Sequence, residues 1–195
     1  MTVGALACVI LAAGGSTRMG RPKPMIPLDG EPLVVRAVRV ARAAGFSDIR
    51  VVMRPEDVDL RRILSPLGIH LLAHPGWRAG VGSSIALGAL SLPEGTPGVL
   101  FLTCDQPAVT EDILHRLMAA FRGPESRVAC AYDYTVGIPA LFGSDWLPRL
   151  RHLQGDRGAK DLLREGKLIT IPFEAGGFDL DTPEDLEAWM DLDGR

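Results

Sequence analysis

The stretch LAAGGSTRMGRPK, residues 11–23, gathers three glycines, two hydroxyls and three cations into thirteen positions directly after an apolar run. Glycines let successive backbone N–H groups converge on an anion. Ser16 and Thr17 add hydroxyl donors. Arg18 and Lys23 can neutralise phosphate oxygens, the guanidinium through two parallel bonds. The stretch suits a phosphate cradle. A glycine-rich surface turn with solvated cations has the same composition, so both meanings stand at this level. Two familiar cradles do not fit. Gly14-Gly15-Ser16 breaks G-x-G-x-x-G, and Arg21-Pro22 follows Gly20 where a P-loop needs Lys and Ser or Thr.

Acids that could face such a cradle lie far along the chain. Asp105 ends the run LTCDQP. A carboxylate there is placed to hold Mg²⁺, which takes few protein carboxylates together with phosphate oxygens and water. It could equally start the turn before Pro107. Asp179 and Asp181 lie in FDLDTPED. If 178–180 is a strand, their side chains share one side and either can reach an ion held by Asp105. Asp181 has a competing duty as a cap of the closing helix, whereas Asp179 has none, so Asp179 is the expected second metal ligand and Asp181 the lesser one. Glu184 and Asp185 suit that helix's first turn. The four histidines share no ligand spacing, and His74, before Pro75, is the one placed in a loop that could form a pocket. Asp156, Arg157 and Lys160 either meet an anionic partner or form a solvated helix start.

The elements that must position these residues alternate. Apolar runs at 5–12, 48–53, 98–104 and 127–133 read as buried strands, with shorter strands at 68–73, 167–173 and 178–180. Between them lie helical patterns at 31–44, 56–66, 82–90 and 110–121, short helices after 144 and near 158–165, and a closing helix after Thr182. Strands that are apolar throughout indicate a mostly parallel α/β sheet with helices on both faces. Ligands bind such sheets beyond the carboxyl ends of the strands, where residues 11–23 stand. The Gly/Pro-containing stretch 134–143 reads as an excursion to a small lobe.

At 195 residues, folding buries roughly 70% of the unfolded chain's surface, so no disulfide or metal staple is required. The net charge of −3 argues against a nucleic-acid surface. Cys8, Cys104 and Cys130 have no metal-ligand spacing and read as buried small hydrophobes in a reduced, cytoplasmic setting. The apolar run Val3 to Ala13 lacks a basic leader and is too short to span a bilayer, so no membrane association is expected.

Every fixed position of the opening stretch matches L-A-A-G-x-S-x-R-M-G-x-x-K, and the chain thereby resembles the molybdenum cofactor cytidylyl- and guanylyltransferase family. GVGSSIALGAL, TCDQPAVT, GIPALF, LQGDRGAKDLL and DLDTPEDL follow in the family's order, and the last four look more like its cytidylyltransferase branch. The resemblance covers essentially the whole chain. It implies a single domain over residues 1–195 with a Rossmann-like nucleotidyltransferase fold. The implied reaction is Mg²⁺-dependent transfer of CMP from CTP to the phosphate of molybdopterin, releasing pyrophosphate. By the same resemblance, Leu11, Ala12, Ala13, Gly14, Gly15, Ser16, His74 and Ser84 would contact the nucleotide. Lys23 would contact the α-phosphate and Arg18 the outer phosphates, while Asp105, Asp179 and Asp181 would hold the metal. Arg18, Lys23 and Asp105 form the implied catalytic set, and a molybdenum oxidoreductase is the implied recipient of the product.

The chain departs from the family at His74 (often Asn), Val81 (often Met) and Ile138 (often His). These departures bear on base and acceptor. A GTP-using enzyme, a sugar- or isoprenoid-phosphate nucleotidyltransferase, and a non-catalytic cofactor-binding chaperone are the competing readings.

Overall fold

A computed structural model of the protein describes residues 5–15 and 22–193. The first strand, β1 (Ala7–Leu11), is buried along its whole length. Its side chains alternate between two cores. Cys8 and Ile10 face one, and Ala7, Val9 and Leu11 face the other. That is why the run is apolar at every position.

The chain continues through α1 (Leu33–Ala43), β2 (Asp48–Met53), α2 (Val58–Leu64), β3 (His70–Ala73), α3 (Val81–Leu90) and β4 (Gly98–Thr103). It then forms α4 (Glu111–Ala120), β5 (Arg127–Tyr132), β6 (Thr135–Gly143), α5 (Leu147–Leu150), α6 (Lys160–Leu163), β7 (Ile169–Pro172) and α7 (Pro183–Asp193). Pro32 precedes α1, and Gly45 takes a left-handed φ of 97° just beyond its end.

Seven strands form one sheet in the order β3-β2-β1-β4-β6-β5-β7. All pairings are parallel except those of β6. Leu33, Leu60 and Ile113 of α1, α2 and α4 pack on one face, and Ile85, Leu147 and Leu162 of α3, α5 and α6 pack on the other. The α/β expectation therefore holds. β1 leads outward to β2 and β3, and the chain then crosses back to lay β4 on β1's other side. Connections leave in opposite directions at this point, so a crevice opens beyond the carboxyl ends of β1 and β4.

α3 lies unusually close to the sheet. A Cβ at Gly88 would stand 2.6 Å from Val9 Cγ1, so only glycine allows this approach.

Two expectations are corrected. Residues 134–143 do not leave the sheet; they form β6, paired on both sides. Pro139 lacks an N–H, and the β5–β6 register jumps from Ala129↔Ala140 to Cys130↔Gly137, so it meets no ladder partner on β5. Asp133 and Tyr134, both at positive φ, make the tight turn into β6. Residues 178–180 are not a strand. The Leu180 N–H donates to the Asp105 carbonyl and the Asp181 N–H donates to Asp179, which closes a turn instead.

Cys8, Cys104 and Cys130 are buried and form no disulfide. Among the described residues, no helix is long and apolar enough to cross a membrane.

Candidate active site

A cleft of about 410 Å³ lies at the β1/β4 crevice. Leu11 to Gly15 form one wall, Thr103 to Asp105 the base, and Trp77 with the start of α3 the opposite wall. The Ala12 N–H donates to the Val52 carbonyl at 2.8 Å, which carries the β1 path into the turn. A Cβ at Gly14 would meet nothing within 4 Å, and one at Gly15 would only touch the Trp77 ring at 3.4 Å. Protein packing therefore does not explain these glycines. They present bare backbone to the cleft, as an approaching anion requires. Ser16, Thr17 and Arg18 lie outside the described residues.

Lys23 begins a short 3₁₀ turn and reaches across the cleft. Its Nζ donates to Asp105 Oδ2 at 2.9 Å and to Asp181 Oδ1. Burial opposes its charge, but Asp105 and Asp181 outweigh that and push its pKa up to about 12. Asp179 does not share this contact. Its own desolvation, then the charges of Asp105 and Asp181, push its carboxyl up to about 6.

The expected capping duty of Asp181 falls to other residues. Thr182 Oγ1 accepts the Asp185 N–H at 3.2 Å, and Asp185 Oδ2 accepts the N–H groups of Asp181 and Thr182. This leaves the Asp181 carboxylate to Lys23. Gln106, buried beside Asp105, anchors the same segment by donating Nε2 to the Gly176 carbonyl at 2.8 Å.

Ser84 is buried and lines the cleft, and no side chain caps α3. His74 stands behind the wall. Its Nε2 lies 2.8 Å from Ser83 Oγ, which donates to the Gly80 carbonyl at 2.7 Å. The imidazole and the hydroxyl share a hydrogen bond. It supports the turn that starts α3 rather than lining the cavity. Burial lowers its pKa.

Of the late polar group, Asp156 lines the cleft, whereas Arg157 pairs with Asp161 at 3.1 Å on the exposed surface. Gly80 and Gly82 make room for this loop. A Cβ at Gly80 would lie 2.4 Å from the Gly155 carbonyl carbon, and one at Gly82 would lie 2.6 Å from the Gln154 oxygen.

Sequence reasoning missed Trp77 and Arg78. The indole Nε1 donates to Glu56 Oε1 at 3.2 Å, and the Arg78 guanidinium lies 4.3 Å from the ring centroid. Trp77 also faces Gly15 and Arg54, two segments whose convergence on it leaves no local signature.

The donor set fits a divalent cation of the magnesium type. Two carboxylates already share one positive charge, and a third is held nearby. Among the described residues there is no cluster of three or more His, Cys, Asp and Glu that forms a ready cage. Mg²⁺ does not need one, because it keeps waters and takes substrate phosphates as ligands.

The model of the MobA-like NTP transferase domain matches residues 8–170. The chain is 30% identical over 194 residues to purine catabolism protein PucB of Bacillus subtilis, covering 92% of this chain and 93% of that protein. It is 36% identical over 181 residues to a probable molybdenum cofactor guanylyltransferase of Opitutus terrae, covering 87% and 86%. Rv0371c of Mycobacterium tuberculosis superposes with a TM-score of 0.84 at 24% identity, over 97% of this chain and all of that one. A nucleotidyl transferase from Methanothermobacter gives 0.81 at 20% identity, over 98% and 99%. A crevice at the strand-order reversal, with bare backbone on one side and a lysine between two aspartates on the other, is thus carried by a chain that belongs to the MobA-like NTP transferase family, a family of nucleotidyltransferases.

Proposed function

We propose that the whole chain acts as one domain that transfers CMP from CTP to the phosphate of molybdopterin and releases pyrophosphate. The observation that carries this reading is the opposition of the Leu11–Gly15 backbone to Lys23 and Asp105 across one cleft. The triphosphate lies along the bare backbone of Gly14 and Gly15, and by the resemblance Ser16 and Arg18 would contact its phosphates. Ala12, Ala13 and Ser84 meet the base and ribose, and His74 fixes the α3 turn behind them. Asp105 and Asp181 would hold Mg²⁺, with Asp179 beside them, and the ion when bound would supply charge that neutralises the phosphates and polarises the phosphoryl oxygens.

The acceptor is a phosphate, already ionised near neutral pH, so no general base is needed. Its oxygen forms a bond to the α-phosphorus as the bond to the pyrophosphate oxygen breaks. The chain's contribution is alignment and a fixed positive charge from Lys23 where negative charge grows.

The cytidylyl assignment rests on the resemblance of TCDQPAVT, GIPALF, LQGDRGAKDLL and DLDTPEDL to the cytidylyltransferase branch. A second reading, GTP as donor, is favoured by relatives named molybdenum cofactor guanylyltransferase, including one of Rhodobacter capsulatus at 27% identity. Label transfer tests the reaction. An α-phosphate label on CTP should appear in molybdopterin, and a γ-phosphate label should leave in pyrophosphate. No transfer of either label from any nucleotide would overturn the reading.

A further inference from the structure

The Lys23 ammonium sits against Asp105 Oδ2 and Asp181 Oδ1, the two carboxylates best placed to hold a divalent ion. Resting on the reading above, we propose that Lys23 and the metal compete for these oxygens, so that a divalent cation binds well only when phosphates draw Lys23 away.

The geometry supports this in three ways. First, Lys23 is held close to both acids. Its side chain is 17% exposed, and it springs from a turn fixed by the Met25 N–H to the Pro22 carbonyl and the Ile26 N–H to the Lys23 carbonyl. A tethered cation acts at a millimolar-scale effective concentration, comparable with free Mg²⁺ in magnitude. Second, the acids are presented by separate elements that are locked together. The Leu180 N–H donates to the Asp105 carbonyl at 2.9 Å, and Gln106 Nε2 holds Gly176. The carboxylate pair therefore persists whichever cation it receives. Third, Lys23 lines the same cleft as Gly14 and Gly15. An anion lying on that backbone offers the ammonium a new partner without a change of fold.

A bare divalent ion must displace the ammonium from both carboxylates. An ion that arrives with a triphosphate brings it a new partner. Metal and nucleotide are then positively coupled, and the coupling is reciprocal. Lys23 thus discriminates against bare metal as well as stabilising phosphate charge.

The test is Mn²⁺ binding to the full chain, followed by the loss of the free-ion electron paramagnetic resonance signal. Without nucleotide, Lys23→Met should bind Mn²⁺ about tenfold more tightly than wild type, within the usual range for coupled sites. Lys23→Met keeps the aliphatic stem, and Lys23→Arg, which keeps the charge, should stay as weak as wild type. The difference should persist at 0.5 M KCl, since exchange of ligands is not a screened long-range field (the Debye length there is about 4 Å). Equal affinities in wild type and Lys23→Met, or a difference that vanishes in salt, would overturn the competition while leaving the metal site standing. Absence of Mn²⁺ binding by every variant, even with CTP, would overturn the metal site itself and the competition with it.

Discussion

The backbone carbonyl of Asp105 accepts the Leu180 N–H at 2.9 Å, and this one bond joins the end of β4 to the segment that carries Asp179 and Asp181. Asp105 and Asp181 therefore converge on Lys23 from positions more than seventy residues apart in the chain. The arrangement gives each acid a distinct expectation.

Asp105→Asn and Asp181→Asn should each lower turnover at least ~100-fold, as removal of a single charged or donor group at a reacting centre does. Stability should fall by at most ~1 kcal/mol, because the ion pairs with Lys23 are partly exposed. Steady-state rates and thermal melts of the two variants measure both quantities. Normal turnover by Asp181→Asn would remove it from the metal site.

Two titrations pull stability in opposite directions in the metal-free protein. Asp179 titrates at about 6 in the fold, against roughly 4 in an unfolded chain. The folded state thus holds the extra proton between these values. The contribution of Asp179 favours folding below about pH 4 and is lost as pH rises through about 6. His74 behaves oppositely, since burial lowers its pKa below the unfolded value near 6.5. Its contribution stands above about pH 6.5 and is lost as pH falls below it. In EDTA, Asp179→Asn should gain on wild type as pH rises from 5 to 8. His74→Asn should lose less than wild type as pH falls from 7 to 5. Melting curves across that range check both slopes.

Gly88→Ala should destabilise the protein by about 1–3 kcal/mol, because the new methyl would stand 2.6 Å from Val9 Cγ1. Val9→Ala in the same chain should recover part of the loss. Urea unfolding of the single and double variants measures it; an additive double variant would show that the contact is not the cause.

Much of this architecture is legible in the chain itself. The β1 run is apolar at consecutive positions because both faces of the sheet are covered, and α1 is bracketed by Pro32 and Gly45. The β5–β6 hairpin is not legible, because its turn uses Asp133 and Tyr134 at positive φ where Asn and Gly would announce it. Pro139 further disguises β6, and only the register break explains its tolerance. At the site, Gly14, Lys23 and Asp105 stand in stretches whose residue types suggest their chemistry. Trp77 does not, since its surroundings come from Gly15, Arg54 and Glu56. The preference of Lys23 for Asp181 over Asp179 is likewise set by the turn at 179–181, which local patterning read as a strand.

Lys23→Ala should lower turnover more than it weakens nucleotide binding, because the charge at the α-phosphorus grows in the transition state. Equal losses in kcat and affinity would make Lys23 a binding contact alone.

The most direct measurement is pyrophosphate release with each nucleoside triphosphate in turn, with Mg²⁺, in the presence and absence of molybdopterin. CTP with molybdopterin should release pyrophosphate fastest, and omission of molybdopterin should stop it. Faster release from GTP would contradict the base assignment, and no release from any nucleotide would contradict the proposed reaction.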